Sequence, residues 1–410
     1  MNATVKPPRS PVEASLAESF EALRASGVSP AQESAFARFL DKGLPSRRIE
    51  AWHYTDLRTL LKSAPPPAIG PDKAVAEDSD LVFVDGVLLA SAAPAGVVIE
   101  RAASGRKLAD HVIDESDASV ALSRAFARET VTIAIGPNVQ AGELRLAFRN
   151  GENAATSSAH VIVSVAAGAS ITIAESHESA PGAAHLAQTL FEFDVGEGAR
   201  VNHIRINALD AASSSVSTLG ADIGAGANFE TLSLTTGAGV SRHQVFARFS
   251  GERAQAAVRG ATLVRGKQHA DTTICITHAA AHCESRETFK TIIDGEATGV
   301  FQGRINVAQG AQKTDARMAS NALLLSEGAA MYNKPELEIF ADDVQCAHGA
   351  TCGELDEDLL FYIMARGISR RDAEALLLEA FVAPAFDGVE DDASREMLME
   401  RVRGWLAQRK

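Results

Sequence analysis

Residues 160–175, HVIVSVAAGASITIAE, hold the pattern that decides the fold. Val161, Val163 and Val165 alternate with other residues, a glycine turn follows at Gly168, and Ile171 and Ile173 resume the alternation. Apolar residues at every second position mark a strand with one buried face. From about 130 to 345 the chain keeps this grammar, in TVTIAI, ELRLAF, HVIVSVA, SITIAE, RVNHIRI, FETLSLTT and GVFQGRINV. The turns AAGAS at 166, GEGAR at 196 and GAGAN at 224 each place Gly-Ala before a strand, so Gly168, Gly198 and Gly226 recur 30 and 28 residues apart. A recurrence of that size without intervening helices predicts a mainly β fold, a parallel β-solenoid with one coil per repeat and each coil stacked on the next. The repeat drifts after Gly251, and an antiparallel sandwich is the alternative architecture.

Outside this middle the apolar period lengthens to that of a helix. SPVE at Ser10–Glu13 and SPAQ at Ser29–Gln32 are capping boxes with proline at the first helical position, and Gly27 and Gly43 stop the two helices. RRIEAWHYTDLRTLLK follows from Arg47, APPPAIGP breaks the chain from Ala64, and LVFVDGVLLA reads as a hairpin turning at Asp85 and Gly86. Beyond Gly353, Asp356 and Ser369 cap two further helices, Pro384 terminates the second, and SREMLMERVRGWLAQR forms the last. The expected divisions are an N-terminal helical region with linker over 1–75, a mixed connection over 76–130, a β-helix core over 131–345 and a C-terminal helical region over 346–410.

Composition excludes several classes. The formal charge of −14 argues against nucleic acid, whose phosphates demand a basic face. No stretch approaches the ~18 apolar residues a membrane span needs, and MNATVKPPRSPVEAS lacks a signal peptide's apolar segment, so no membrane association and a cytoplasmic location are expected. The 4 cysteines read as reduced thiols or ligands rather than a disulfide framework. GATLVRGKQ at Gly260–Gln268 imitates a phosphate-binding loop, but five residues separate its glycines and Gln268 stands where the Mg²⁺-binding hydroxyl belongs, so the chain should bind no nucleotide. GAGANF lacks the third glycine of a dinucleotide fingerprint, and no GxSxG or HExxH string occurs. With no Trp or Tyr between 55 and 331, a sugar-processing solenoid is also disfavoured.

Two constellations carry ligand chemistry. CITHAAAHCES offers Cys275, His278, His282 and Cys283, donors suited to zinc, iron or copper, but on a strand 275 and 283 share one face and 278 and 282 the other, so they converge only across a turn. A packed thiol or a hydrogen-bonded turn histidine is the structural reading of each. In ADDVQCAHGATCGELDEDLLFY, residues 341–362, Cys346 and His348 lie two apart and would share a face if extended, so thiolate and imidazole could reach one metal. Cys352 follows in the same stretch.

FKTIIDGEATGVFQGRINVAQGAQKTDARMASNALLLS and NKPELEIFADDVQCAHGATCGELDEDLLFYIMARGI closely resemble the SufB/SufD family of iron–sulfur cluster assembly scaffolds, in its SufD branch, and RRIEAWHYTDL resembles that branch's N-terminal signature. YNKP at Tyr332 departs from the family's usual Asn/Asp-Thr-Lys-Pro, and Cys352 stands where valine is common. The resemblance implies a right-handed parallel β-helix with helical ends, acting as a non-catalytic scaffold subunit of the SUF machinery. It implies a SufB-like partner protomer, a SufC-like ABC ATPase on the C-terminal helices, and sulfur from a cysteine desulfurase system. The cargo would be a transient Fe–S cluster at the SufB interface, held through His348 and, more weakly, Cys346. Leu359, Leu360, Ile363, Leu376, Leu377 and Phe381 exceed what two short helices can bury on each other; part of this surface should cover the β-helix end and part the ATPase. A flavin in the assembled complex and a homodimer of the isolated chain are left open. The competing reading is a stand-alone β-helix metalloenzyme using His278, His282 and Cys283.

Overall fold

A computed structural model describes residues 10–68, 79–103, 112–114 and 116–409. The expected division at 75/76 and most of the N-terminal MNATVKPPRSPVEAS fall outside the described residues.

The period-2 region winds into a parallel β-solenoid of about eight turns. One sheet runs from Ala127–Ile135 through every second strand to Ala330–Ile339, and the other from Gln140–Asn150 to Gln345–Gly353. Each strand pairs in parallel with the strand one coil away, which excludes the sandwich. The solenoid begins at Ala127 and continues to Gly353, so the expected 131–345 limits are too narrow. The hairpin Leu81–Val84 and Val87–Ser91 turns at Asp85 and Gly86 as expected, and its first strand adds to the second sheet beside Gln140–Asn150.

The coil corner explains both the repeat and its apparent drift. Gly168, Gly198 and Gly226 have φ of 66°, 64° and 63°, a left-handed conformation that glycine adopts without steric cost. Their N–H groups donate to Glu197, Ala225 and Glu252 of the next coil at 2.9, 2.8 and 2.8 Å. The same corner is occupied in other coils by Asn138, Arg253, His282 and Lys313, with φ of 59°, 58°, 61° and 62°. Hydrogen bonds between coils hold these side-chain-bearing residues in the strained region, so the turn persists where its glycine disappears.

Inside the coils, alternate residues of both sheets form one apolar core that includes Val161, Phe193, Phe229, Phe249, Ile276, Phe301 and Met318. A charged cluster interrupts it: Glu175 lies 3.2 Å from His177, 3.5 Å from His203 and 3.4 Å from Arg205, all buried.

Two helical regions cover opposite outer faces of the solenoid. Pro11–Ala25 and Pro30–Lys42 start at Ser10 and Ser29 with reciprocal capping boxes. With the helix Ala118–Phe126 they pack on the first sheet at Leu186 and Val216. At the other end of the chain, Arg370–Val382, Ala383–Phe386 and Asp392–Ala407 bury Leu378, Val382, Phe386, Leu398, Val402 and Trp405 against Ile204, Ile206, Leu232, Leu234, Leu263 and Ile292 of the second sheet. These helices therefore cover a flank, not the end of the β-helix as expected, because the flank strands carry outward apolar residues to match them.

Candidate functional site

Among the described residues, the last coil has no coil above it. Ala330–Ile339 and Gln345–Gly353 are the edge strands of their sheets and leave inward-phase positions open to solvent. Register defines what this open end presents: Cys346 stacks on Ala316 and His348 on Met318. Ala316 and Met318 are core residues, so Cys346 and His348 continue the inner columns. Cys346 is half-buried against the core, whereas His348 is exposed. Burial pushes the Cys346 thiol up, with Asp315 and Glu287 adding in the same direction. Cys352 stacks on Ala322 in the same phase but is exposed, and partial burial raises its thiol too. At about 3.4 Å per residue, Cys352 lies roughly 14 Å along the strand from His348 and cannot share an ion with it. Beside these residues Ser320 Oγ donates to Asn333 Oδ1 at 2.7 Å, a polar patch on the floor of the last coil.

Among the described residues no group of three or more His, Cys, Asp or Glu is arranged to hold a metal ion. Cys346 and His348 do not by themselves complete such a group. The CITHAAAHCES residues are separated as well, although a turn does intervene. His278 is buried, its ring tilted against Phe249 with centroids 4.4 Å apart, with Nε2 on Ser285 Oγ at 3.0 Å, and burial lowers its pKa to about 4. His282 is the exposed corner residue described above. Cys283 is a core thiol donating to the Gly251 carbonyl at 3.3 Å. Cys275 faces outward in its strand, 3.5 Å from Asn306 Nδ2, and burial raises its thiol. The structure does not bring these four side chains together.

The segment EAWHYTDL fastens the N-terminal region to the coils near the open end. Trp52 lies under the guanidinium of Arg242 at 3.7 Å, and Arg242 donates to the Ala51 carbonyl at 2.7 Å and pairs with fully buried Asp271. Thr55 donates to the same carboxylate and meets His269 Nε2 at 2.9 Å. Glu50 pairs with Lys334 at 2.9 Å, and Tyr54 stacks on Tyr332 at 5.1 Å, so both contacts reach the last coil itself.

On the C-terminal helices the six expected docking residues divide. Leu359 and Leu376 are each 50 % exposed, Ile363, Leu377 and Phe381 are half-buried, and Leu360 is fully buried. Leu360 is thus a packing residue, unavailable to a partner. Phe361, Tyr362 and Met364, which the sequence reading did not single out, extend the exposed patch at 75 %, 57 % and 38 %. GATLVRGKQ lies within the strand Gln255–Val264 and the turn after it, with Gly260 facing Phe289, and no helix follows that could present its N-terminus to phosphate.

One interior group escaped the sequence reading. Glu287, 1 % exposed, stands between Val258 and Met318; neither carboxyl oxygen makes a hydrogen bond of normal geometry among the described residues, and Ser285 beside it lowers its pKa only in part against burial. The Ser285 hydroxyl beside it is engaged by His278. Burial raises the Glu287 carboxyl to about 8. The available signal was a carboxylate in the inward phase of ESRETF, between Ser285 and Phe289.

Residues 148–381 match the family profile described as SUF system FeS cluster assembly, SufBD core domain. The iron–sulfur cluster assembly protein SufD of Escherichia coli is 29 % identical over 391 residues, covering 91 % of this chain and 92 % of that protein. A SufBD family protein of Synechocystis is 29 % identical over 84 % of each chain. The SufD protein of Bacillus subtilis is 32 % identical over 135 residues, covering 33 % of this chain and 31 % of its own length.

Proposed function

The chain belongs to the SufBD family of iron–sulfur cluster assembly proteins, and from that premise we propose that it is a non-catalytic scaffold subunit whose open solenoid end meets a SufB-type protomer. The observation that carries this reading is the uncapped last coil, which offers two unpaired strand edges together with His348 and Cys346 in inner columns. Strand edges seek a partner, and a partial ligand set needs one. In this reading the nascent Fe–S cluster is cargo: His348 presents an imidazole nitrogen to iron across the interface, and half-buried Cys346 is the weaker contact. Iron accepts imidazole and thiolate ligands together, so the donor set suits that cargo.

The patch of Leu359, Phe361, Tyr362, Met364 and Leu376 is the surface we assign to a SufC-type ATPase, which would supply the ATP-driven step that this chain does not perform. Co-expression with both partner types tests the assembly. A complex that survives His348→Ala but no longer accumulates iron and acid-labile sulfide supports the reading, and an unchanged cluster yield removes it.

A further inference from the structure

Glu287, Met318 and His348 are consecutive members of one ladder column, and Ser285, Ala316 and Cys346 form the column beside it. The open-end site therefore has a floor, the rung of Ala316 and Met318, and beneath that floor a carboxyl. A buried carboxyl without a hydrogen bond of normal geometry is among the most unfavourable groups an interior can hold, and nothing in the packing of the solenoid demands it. Glutamine or methionine would fill the same volume. The adjacent guanidinium of Arg286 offsets part of the burial through its charge but makes no hydrogen bond to the carboxyl, donating instead to the Ser285 and Asp315 carbonyls and to the Asp315 carboxylate. The remaining polar groups around it are Ser285 and His278, which bond each other, and Cys346 and His348 above the floor.

We propose that Glu287 is a positioning residue of the open-end site: a buried acid that ionises when a divalent cation is loaded beside His348, and so supplies the balancing negative charge from inside the solenoid. This rests on the reading of His348 given above and deepens it. The step balances simply, since the carboxyl becomes a carboxylate and its proton leaves to solvent through the open end. Strand spacing puts the carboxyl about 10 Å from the terminal rung, with Ala316 and Met318 between. At that distance a dication in a protein interior favours the carboxylate by about a hundredfold, enough to carry a group that titrates near 8 through neutrality. A carboxyl two or three coils deeper would not respond, and one exposed at the rim would already be ionised.

The test uses the full chain assembled with its SufB-type partner and Zn²⁺ as a redox-inert probe. Calorimetry at about pH 7 in two buffers of different ionisation enthalpy counts the protons released per cation bound. Glu287→Gln should release nearly one proton fewer than the unsubstituted complex, and Glu287→Asp should restore the release. A residue with only a packing role would not move this number. Equal proton release by Glu287→Gln and the unsubstituted complex overturns the inference. His348→Ala is measured in parallel: retention of full Zn²⁺ affinity there would refute the site itself, whereas lost affinity in His348→Ala with unchanged release in Glu287→Gln would refute the role of Glu287 alone. A complex that takes up no Zn²⁺ refutes both.

Discussion

Replacing Asp271 with asparagine leaves the guanidinium of Arg242 buried without its counter-charge. Both side chains are fully buried, and removing one partner of such a pair generally costs about 3–5 kcal/mol, much of it the penalty of the stranded charge. Here Arg242 retains the Ala51 carbonyl at 2.7 Å, Gln244 Oε1 at 3.1 Å and the face of Trp52 at 3.7 Å. A desolvated cation–π contact is worth about 2 kcal/mol, so the expected loss is at the lower end, about 3 kcal/mol. The loss should also be felt locally, because Asp271 accepts from Thr55 and thereby holds the N-terminal region on the solenoid. Urea unfolding gives the global term, and amide exchange over Glu50–Leu60 gives the local one. A stability change below about 1 kcal/mol with unchanged protection of that segment would refute the view that EAWHYTDL acts as a buried electrostatic lock.

Phe361→Ser with Leu376→Ser should leave unfolding within about 1 kcal/mol, since both side chains are exposed, yet sharply weaken capture of a SufC-type ATPase; equal capture would contradict the docking assignment. Point changes suit this test because truncating the C-terminal helices would strip the apolar cover from the second sheet. His278, lowered to about 4 from 6.5, binds no proton in the folded chain between those values while the unfolded chain does, so stability falls with pH below 6.5, by about 2 kcal/mol at pH 5 from this group; in urea titrations His278→Gln should flatten the profile by that amount, and an identical slope would contradict it. Glu287 has the opposite sign: raised to about 8 from 4.5, it keeps a proton that the unfolded chain has lost, so stability falls as pH rises through that window. Glu287→Gln should therefore stabilise the chain by about 3 kcal/mol at pH 7, and a less stable variant at pH 8 would show that the carboxyl has a partner.

Helix caps were legible because their chemistry is local: Ser10 with Glu13 and Ser29 with Gln32 form the boxes their spacing announces. The solenoid was legible through glycine at three corners and faded where Arg253, His282 and Lys313 take the same left-handed position, since hydrogen bonds from neighbouring coils, invisible in a linear pattern, hold them there. Ala118–Phe126 was missed as well. All nine residues are buried, and the polar face of Ser119, Ser123 and Arg124 is set against the solenoid rather than solvent, so such a short run read as part of the connection. At the candidate site, the i, i+2 spacing of Cys346 and His348 correctly predicted a shared face, but only register shows that this face continues the inner columns at an open end. Leu360 and Phe361 are adjacent in sequence, yet one is buried and the other 75 % exposed, a division set by tertiary packing.

The most direct measurement of the central claim is the iron and acid-labile sulfide content of the complex reconstituted with SufB- and SufC-type partners, comparing the unsubstituted chain, His348→Ala and, as a control at the exposed outer end of the same strand, Cys352→Val. The account predicts normal assembly in all three, with cluster accumulation lost in His348→Ala and retained in Cys352→Val. Normal cluster yield from a properly assembled His348→Ala complex would contradict it.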